Sequence, residues 1–160
     1  MKKSDDLKQF TIKTTSLVTA WLFFVGQVHA QAQSIPQIVP DGQTLTNLQV
    51  QGNSTTITTG TLMGGNGINS FDKFDVHSGN IVNLQVRDQA NSLLNLIHQQ
   101  RSQIDGLVNS YQNGSIGGNV FFLNPNGIVV GEQGVINANS VHLMTPNASD
   151  MQAMLQGASA

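Results

Sequence analysis

Cysteine is absent from all 160 residues. That excludes disulfides, thiolate metal sites and a cysteine nucleophile. Charge is nearly as scarce: Asp, Glu, Lys and Arg make up 10% of the chain. So low a share excludes a coiled coil and a highly charged disordered region. Basic residues are unevenly spread. Lys2, Lys3, Lys8 and Lys13 crowd the front. Beyond position 30 only Lys73, Arg87 and Arg101 remain against seven acids, a balance of 3 − 7 = −4. Such a body has little to neutralise phosphates with, so nucleic acid is not expected as a partner. No apolar run reaches the roughly 20 residues that a membrane-spanning helix needs.

What the chain does have is amide and glycine: 16 Asn, 17 Gln and 16 Gly. Asn and Gly favour turns and weaken helix interiors, so this polar, barely charged composition suits strands and turns.

The N-terminus reads as an address. Residues 1–13 are basic, Ser16 to Val25 form a short apolar run, and Val28-His29-Ala30 and Ala30-Gln31-Ala32 supply small residues at cleavage spacing. This is the order of a secretory signal peptide. The expected organisation is a signal peptide over 1–30, cut after Ala30 or after Ala32, and one domain over 31–160. The other reading is an anchor helix that stays attached. An exported chain free of cysteine also suits a protein that stays unfolded until it has crossed a second barrier.

From Ile38 onward short apolar runs alternate with turn signals. Thr44–Val50, Thr55–Thr59, Ile81–Val86, Val120–Leu123, Ile128–Val130 and Val141–Met144 read as strands, with Val82, Leu84 and Val86 on one face. Asp41-Gly42, Gly64-Gly65-Asn66-Gly67, Ser78-Gly79-Asn80, Asn113-Gly114, Gly117-Gly118 and Asn126-Gly127 read as turns. Asn91–Tyr111 reads as two strands, Leu93–Ile97 and Gln103–Val108, joined through His98–Ser102. Ser149–Gln156 reads as a helix, with Ser149 as its cap and its apolar face over the open end of a solenoid. Two all-β arrangements fit: an antiparallel sandwich, or a parallel β-helix. Thr46-Asn47-Leu48, Val82-Asn83-Leu84 and Leu94-Asn95-Leu96 echo one another, and asparagines of this kind can stack from coil to coil.

Two stretches are more specific. One runs from Asn66 to Val76 and continues to Gly79 and Ile81–Leu84; the other runs from Gly118 to Gly131. In order and separation they resemble the secretion domain of two-partner-secretion exoproteins, the filamentous-haemagglutinin type. Arg101 to Leu107 between them is similar to the leukotoxin and filamentous-adhesin branch. The resemblance covers residues 36–146. It implies an all-β fold, a right-handed parallel β-helix (solenoid) with an N-terminal cap. It implies passage through the periplasm, recognition by the periplasmic domains of a cognate outer-membrane β-barrel transporter, and delivery to the surface or surroundings of a Gram-negative bacterium. A host cell surface is the further partner that the resemblance implies. The family's recognition motif falls on Asn124, Pro125, Asn126, Gly127 and Ile128, and a secondary motif on Asn69, Phe71 and Phe74. The second, Asn-Pro-Asn-Leu-type motif of many members is missing. Members usually run on well beyond this domain, so an end at Ala160 fits a truncated exoprotein or a complete small one.

Each motif also has a plain structural reading. Asn124-Pro125-Asn126-Gly127 is a β-turn signal in its own right. Phe71 and Phe74 read as core or cap residues. Asp72 and Asp75 invite a glycosidase or calcium reading, but Lys73 separates them and no Asp-x-Asp-x-Asp-Gly pattern follows. His77, His98 and His142 lack metal-ligand spacing, and no Ser, His and Asp stand in a recognisable triad pattern. The expected protein is therefore a secretion and adhesion module with no enzyme activity, cofactor or metal. The alternative is a β-helix that binds or cleaves polysaccharide, which calls for carboxylates gathered on one sheet.

Overall fold

A computed structural model describes residues 37–158. The signal peptide and the cleavage positions Ala30 and Ala32 lie outside the described residues. The chain opens with β1 (Gln37–Pro40), β2 (Thr46–Gln51), β3 (Ser54–Thr59) and β4 (Leu62–Met63). Next come β5 (Asn66–Asp75), β6 (Ile81–Gln85), β7 (Ser92–Ile97) and β8 (Ser102–Ile104). Then follow β9 (Leu107–Gln112), β10 (Ser115–Ile116), β11 (Asn119–Leu123), β12 (Ile128–Val130), β13 (Val135–Asn137), β14 (Ser140–Met144) and the helix α1 (Ala148–Ala158).

Every coil-to-coil pairing is parallel. On the first face β5, β7, β11 and β14 lie side by side, with Gly67 against Leu93, Leu93 against Val120 and Val120 against Val141. On the second face β3, β6, β9 and β13 do the same. The third is narrow: Val76 bridges to Ile104, and β8 pairs with β12. The result is a three-sided parallel β-solenoid of three turns, and the antiparallel sandwich is excluded. Antiparallel pairing is confined to the additions. β1 covers β5 and β2 covers β3, which forms the N-terminal cap. β4 folds back on β5, and β10 returns on β9 through the two-residue Asn113-Gly114 loop.

The alternation along each strand puts one row of side chains inside. Val82, Leu84, Leu93, Ile97, Ile104, Val108 and Val120 are wholly buried there, around Phe71, Phe74 and Phe122. Phe74 meets both other rings edge-on, each at 5.4 Å between centroids. Such contacts add about 0.5–1.5 kcal/mol apiece beyond the area they bury.

Three expectations are corrected. Gln103–Val108 is not one strand: Asp105-Gly106 turns a corner between β8 and β9. A Cβ on Gly106 would lie 2.5 Å from the His77 carbonyl oxygen, so only glycine lets the two coils approach there. The helix is present, but its cap is Asn147, not Ser149. Asn147 Oδ1 accepts from the Asp150 amide at 2.9 Å and from the Ser149 hydroxyl. Nor does α1 cover the open end. Met151 and Leu155 pack on Ile68, Leu96 and Leu123, the outer side of the first face, and Gly157 reaches Met63 on β4. Eleven residues of helix span about 16 Å, enough to cross three strand spacings of about 4.8 Å. The helix is a strap along the flank.

Candidate functional site

The corner between β11 and β12 is built on Asn124. Its backbone carbonyl accepts the Gly127 amide at 3.0 Å, closing a β-turn with Pro125 and Asn126 at the centre. Pro125 fixes φ at the first central position, and Gly127 follows at φ +97°, a backbone setting that side chains with a Cβ resist. The Asn124 side chain is completely buried and fully used. Its Oδ1 accepts the Asn126 amide at 2.9 Å. Its Nδ2 donates to the Gln100 carbonyl at 2.7 Å and to Ser102 Oγ at 3.0 Å, both on the coil before. Asn126 is exposed, and its Nδ2 donates to the His98 carbonyl at 3.0 Å. Ile128 leans on the core. The corner is thus stacked on the preceding corner, His98 to Ser102. Those lower partners carry no motif, and only the 22 to 28 residues between bonded positions point to them.

Asn69 belongs to the scaffold. It is buried, and its Nδ2 donates to Asn95 Oδ1 at 3.0 Å, while its own Oδ1 accepts the Thr46 hydroxyl of the cap. Asn95 in turn donates to the Phe121 carbonyl at 3.2 Å. On the second face Asn137 donates to Asn109, Asn109 to Asn83 and Asn83 to Ser54. Stacked asparagines are therefore real, but the expected sets were wrong. The coil repeat is 26 to 28 residues, so Asn83 and Asn95 stand on different faces, and Asn47 is exposed on β2. Phe71 and Phe74 are core residues, as their plain reading held.

A second cluster, which no spacing announced, joins Asp41, Ser70 and His98. Ser70 Oγ donates to Asp41 Oδ2 at 2.5 Å and lies 2.9 Å from His98 Nε2, which is 3.5 Å from the same carboxylate oxygen. The residue types are those of a hydrolase triad, but the arrangement is not. In a triad the carboxylate holds the imidazole nitrogen that faces away from the serine. Here acid and serine share one nitrogen, Ser70 is wholly buried, and its amide is taken by Thr44 Oγ1. The cluster is a clasp. It ties the cap, through Asp41, to the first two coils.

The other carboxylates and histidines are dispersed. Asp72 accepts from Gln99, while Asp75 accepts the Gln103 amide and pairs with Lys73. His142 stacks on Phe121 with centroids 4.3 Å apart. Among the described residues no three His, Asp or Glu side chains gather as metal ligands.

The family model of the TPS secretion domain matches residues 36–160, which takes in the whole described solenoid, its cap and α1. No curated protein matches the chain.

Proposed function

The chain belongs to the TPS secretion-domain family, and from that membership we propose that it is the targeting domain of a filamentous-haemagglutinin-type exoprotein, an adhesin or leukotoxin whose target is a host cell surface. Domains of this family direct their chain to a two-partner-secretion transporter of a Gram-negative outer membrane. In the proposed route residues 1–30 bring the chain to the periplasm, and the transporter's periplasmic domains read Asn124 to Ile128. Reading comes before folding. The observation that carries this order is the burial of Asn124, whose amide and carbonyl are all spent inside the corner. A receptor meeting the finished solenoid has no free atom of that side chain to bind.

Two variants separate recognition from folding. Ser102→Ala removes a partner of Asn124 from the folded corner and leaves the motif intact. Asn126→Ala alters the motif at an exposed residue that has one side-chain bond. With the transporter co-expressed, Asn126→Ala is expected to cut secretion sharply, while Ser102→Ala secretes near the parental level despite a lower melting temperature. Equal secretion of both variants would remove the recognition role and leave the motif as a turn.

A further inference from the structure

In an asparagine followed by glycine the side-chain amide is easily lost, because a backbone nitrogen with no Cβ beside it is free to attack the preceding side chain. The chain has three such pairs, Asn66-Gly67, Asn113-Gly114 and Asn126-Gly127. The fold treats them differently. Gly67 is buried in β5 with β4 on one side and β7 on the other, and Asn66 Nδ2 reaches the Gly64 carbonyl at 3.5 Å. At the corner between β11 and β12 the Gly127 amide is spent on the Asn124 carbonyl and Asn126 Nδ2 on the His98 carbonyl, both at 3.0 Å. Asn113-Gly114 has neither restraint. It is the two-residue loop between β9 and β10, with φ +53° and +75°, the setting of a type I′ turn. Such a turn closes through the flanking residues, here Gln112 and Ser115, so the Gly114 amide has no place in the ladder. Among the described residues neither that amide nor the Asn113 side chain has a hydrogen-bond partner. Both residues are exposed, and a Cβ on Gly114 would meet nothing within 4 Å. Ser115 and Ile116, the whole of β10, are exposed too, so the hairpin can open without disturbing the coils.

We propose that Asn113 is a site of spontaneous deamidation, the one Asn-Gly pair that the folded chain leaves reactive. The Gly114 nitrogen gives its proton to hydroxide and attacks Asn113 Cγ. The new N–C bond closes a succinimide ring, the Cγ–Nδ2 bond breaks, and Nδ2 leaves as ammonia with a proton from water. Water then opens the ring. Attack at Cγ gives aspartate; attack at the Asn113 backbone carbonyl gives isoaspartate, in which the chain continues through Cγ. Overall one water is consumed and one ammonia released. Either product puts a negative charge into a stretch that has none between Asp105 and Glu132. Isoaspartate also lengthens the two-residue loop by one backbone atom. A type I′ turn does not accommodate that atom, so β10 gives up its pairing with Tyr111 and Gln112.

The test is peptide mapping by mass spectrometry of the purified chain held in mildly alkaline buffer, folded in one arm and unfolded in urea in the other. The unfolded arm sets the intrinsic reactivity of the three pairs and is expected to show conversion at all of them. In the folded arm Asn113 is expected to convert faster than Asn66 or Asn126 by on the order of tenfold or more, because only its hairpin opens locally. Isoaspartate is expected at position 113; it marks the succinimide, since direct hydrolysis of the side-chain amide gives aspartate alone. Asn113→Gln should keep a strand-rich circular dichroism and lose most of the ammonia that the folded parent releases. A folded Asn113 that survives as long as Asn66 and Asn126 overturns the proposal. So does aspartate as the sole product at 113, or ammonia release undiminished in Asn113→Gln.

Discussion

Asn124 Nδ2 lies 2.7 Å from the carbonyl oxygen of Gln100, one coil earlier, and the Asn124 side chain is itself fully buried. Losing one ordinary hydrogen bond costs about 0.5–1.5 kcal/mol, but stranding buried partners costs about 1–3 kcal/mol more. Asn124→Ala strands the buried Ser102 hydroxyl and also removes the bonds to the Gln100 carbonyl and the Asn126 amide, which belong to exposed residues. The expected loss is therefore about 2–4 kcal/mol, read as a lower urea midpoint with an unchanged slope. Asn124→Asp turns an oxygen toward the Gln100 carbonyl in place of a donor and should cost at least as much.

At Gly127 two penalties can be told apart. A Cβ there would meet nothing closer than Arg101 Cγ at 3.7 Å, which is ordinary contact, but φ is +97°. The cost of Gly127→Val is backbone strain, on the order of 1–3 kcal/mol. Arg101→Ala in the same chain should recover none of it in a thermal melt. Substantial rescue would mean that crowding, not φ, sets the requirement for glycine.

Ser110 presents the opposite case. It faces the interior beside Val86 and Gly118, and its hydroxyl is buried with no hydrogen-bond partner among the described residues. An unpaired buried hydroxyl is a liability of about 1–3 kcal/mol. Ser110→Ala is expected to raise the melting temperature, an uncommon direction for a change at a wholly buried residue.

The clasp of Asp41, Ser70 and His98 spans the cap and two coils, so its loss should be felt locally. Neighbour-only contacts let a solenoid open in parts. In Ser70→Ala, amide exchange is expected to speed up across β1 and the Asp41–Leu45 turn, while β7, β9 and β11 keep their protection. Uniform loss of protection along the chain would show that the cap and the coils are one cooperative unit.

Much of this was legible from the residues. Strands flanked by turn dipeptides, such as Ile128–Val130 after Asn126-Gly127, fell where alternation and turn chemistry placed them. Motif order then decided between sandwich and solenoid, a choice that local pattern left open because both architectures bury alternate residues. β5 escaped as a strand, since Gly67, Asn69 and Ser70 occupy positions where apolar residues announce a strand. The stacked coils bury them, and Gly67 is tolerated because Leu93 and Thr59 fill the space beside it. The clasp escaped for a different reason. Its three residues lie 28 and 29 positions apart, and a coil repeat of 26 to 28 residues with so little sequence identity between coils leaves no periodic trace. The path of α1 was hidden too. Met151 and Leu155 mark an apolar face, but which surface receives it depends on Ile68, Leu96 and Leu123 pointing outward from three different coils.

The most direct measurement is the amount of chain that reaches the culture medium with and without the co-expressed outer-membrane transporter. If the chain is a targeting domain, release depends on the transporter, and a passenger fused behind Ala160 appears outside only when residues 1–160 precede it. Equal release without the transporter, or a passenger exported when residues 36–160 are deleted, would contradict the account.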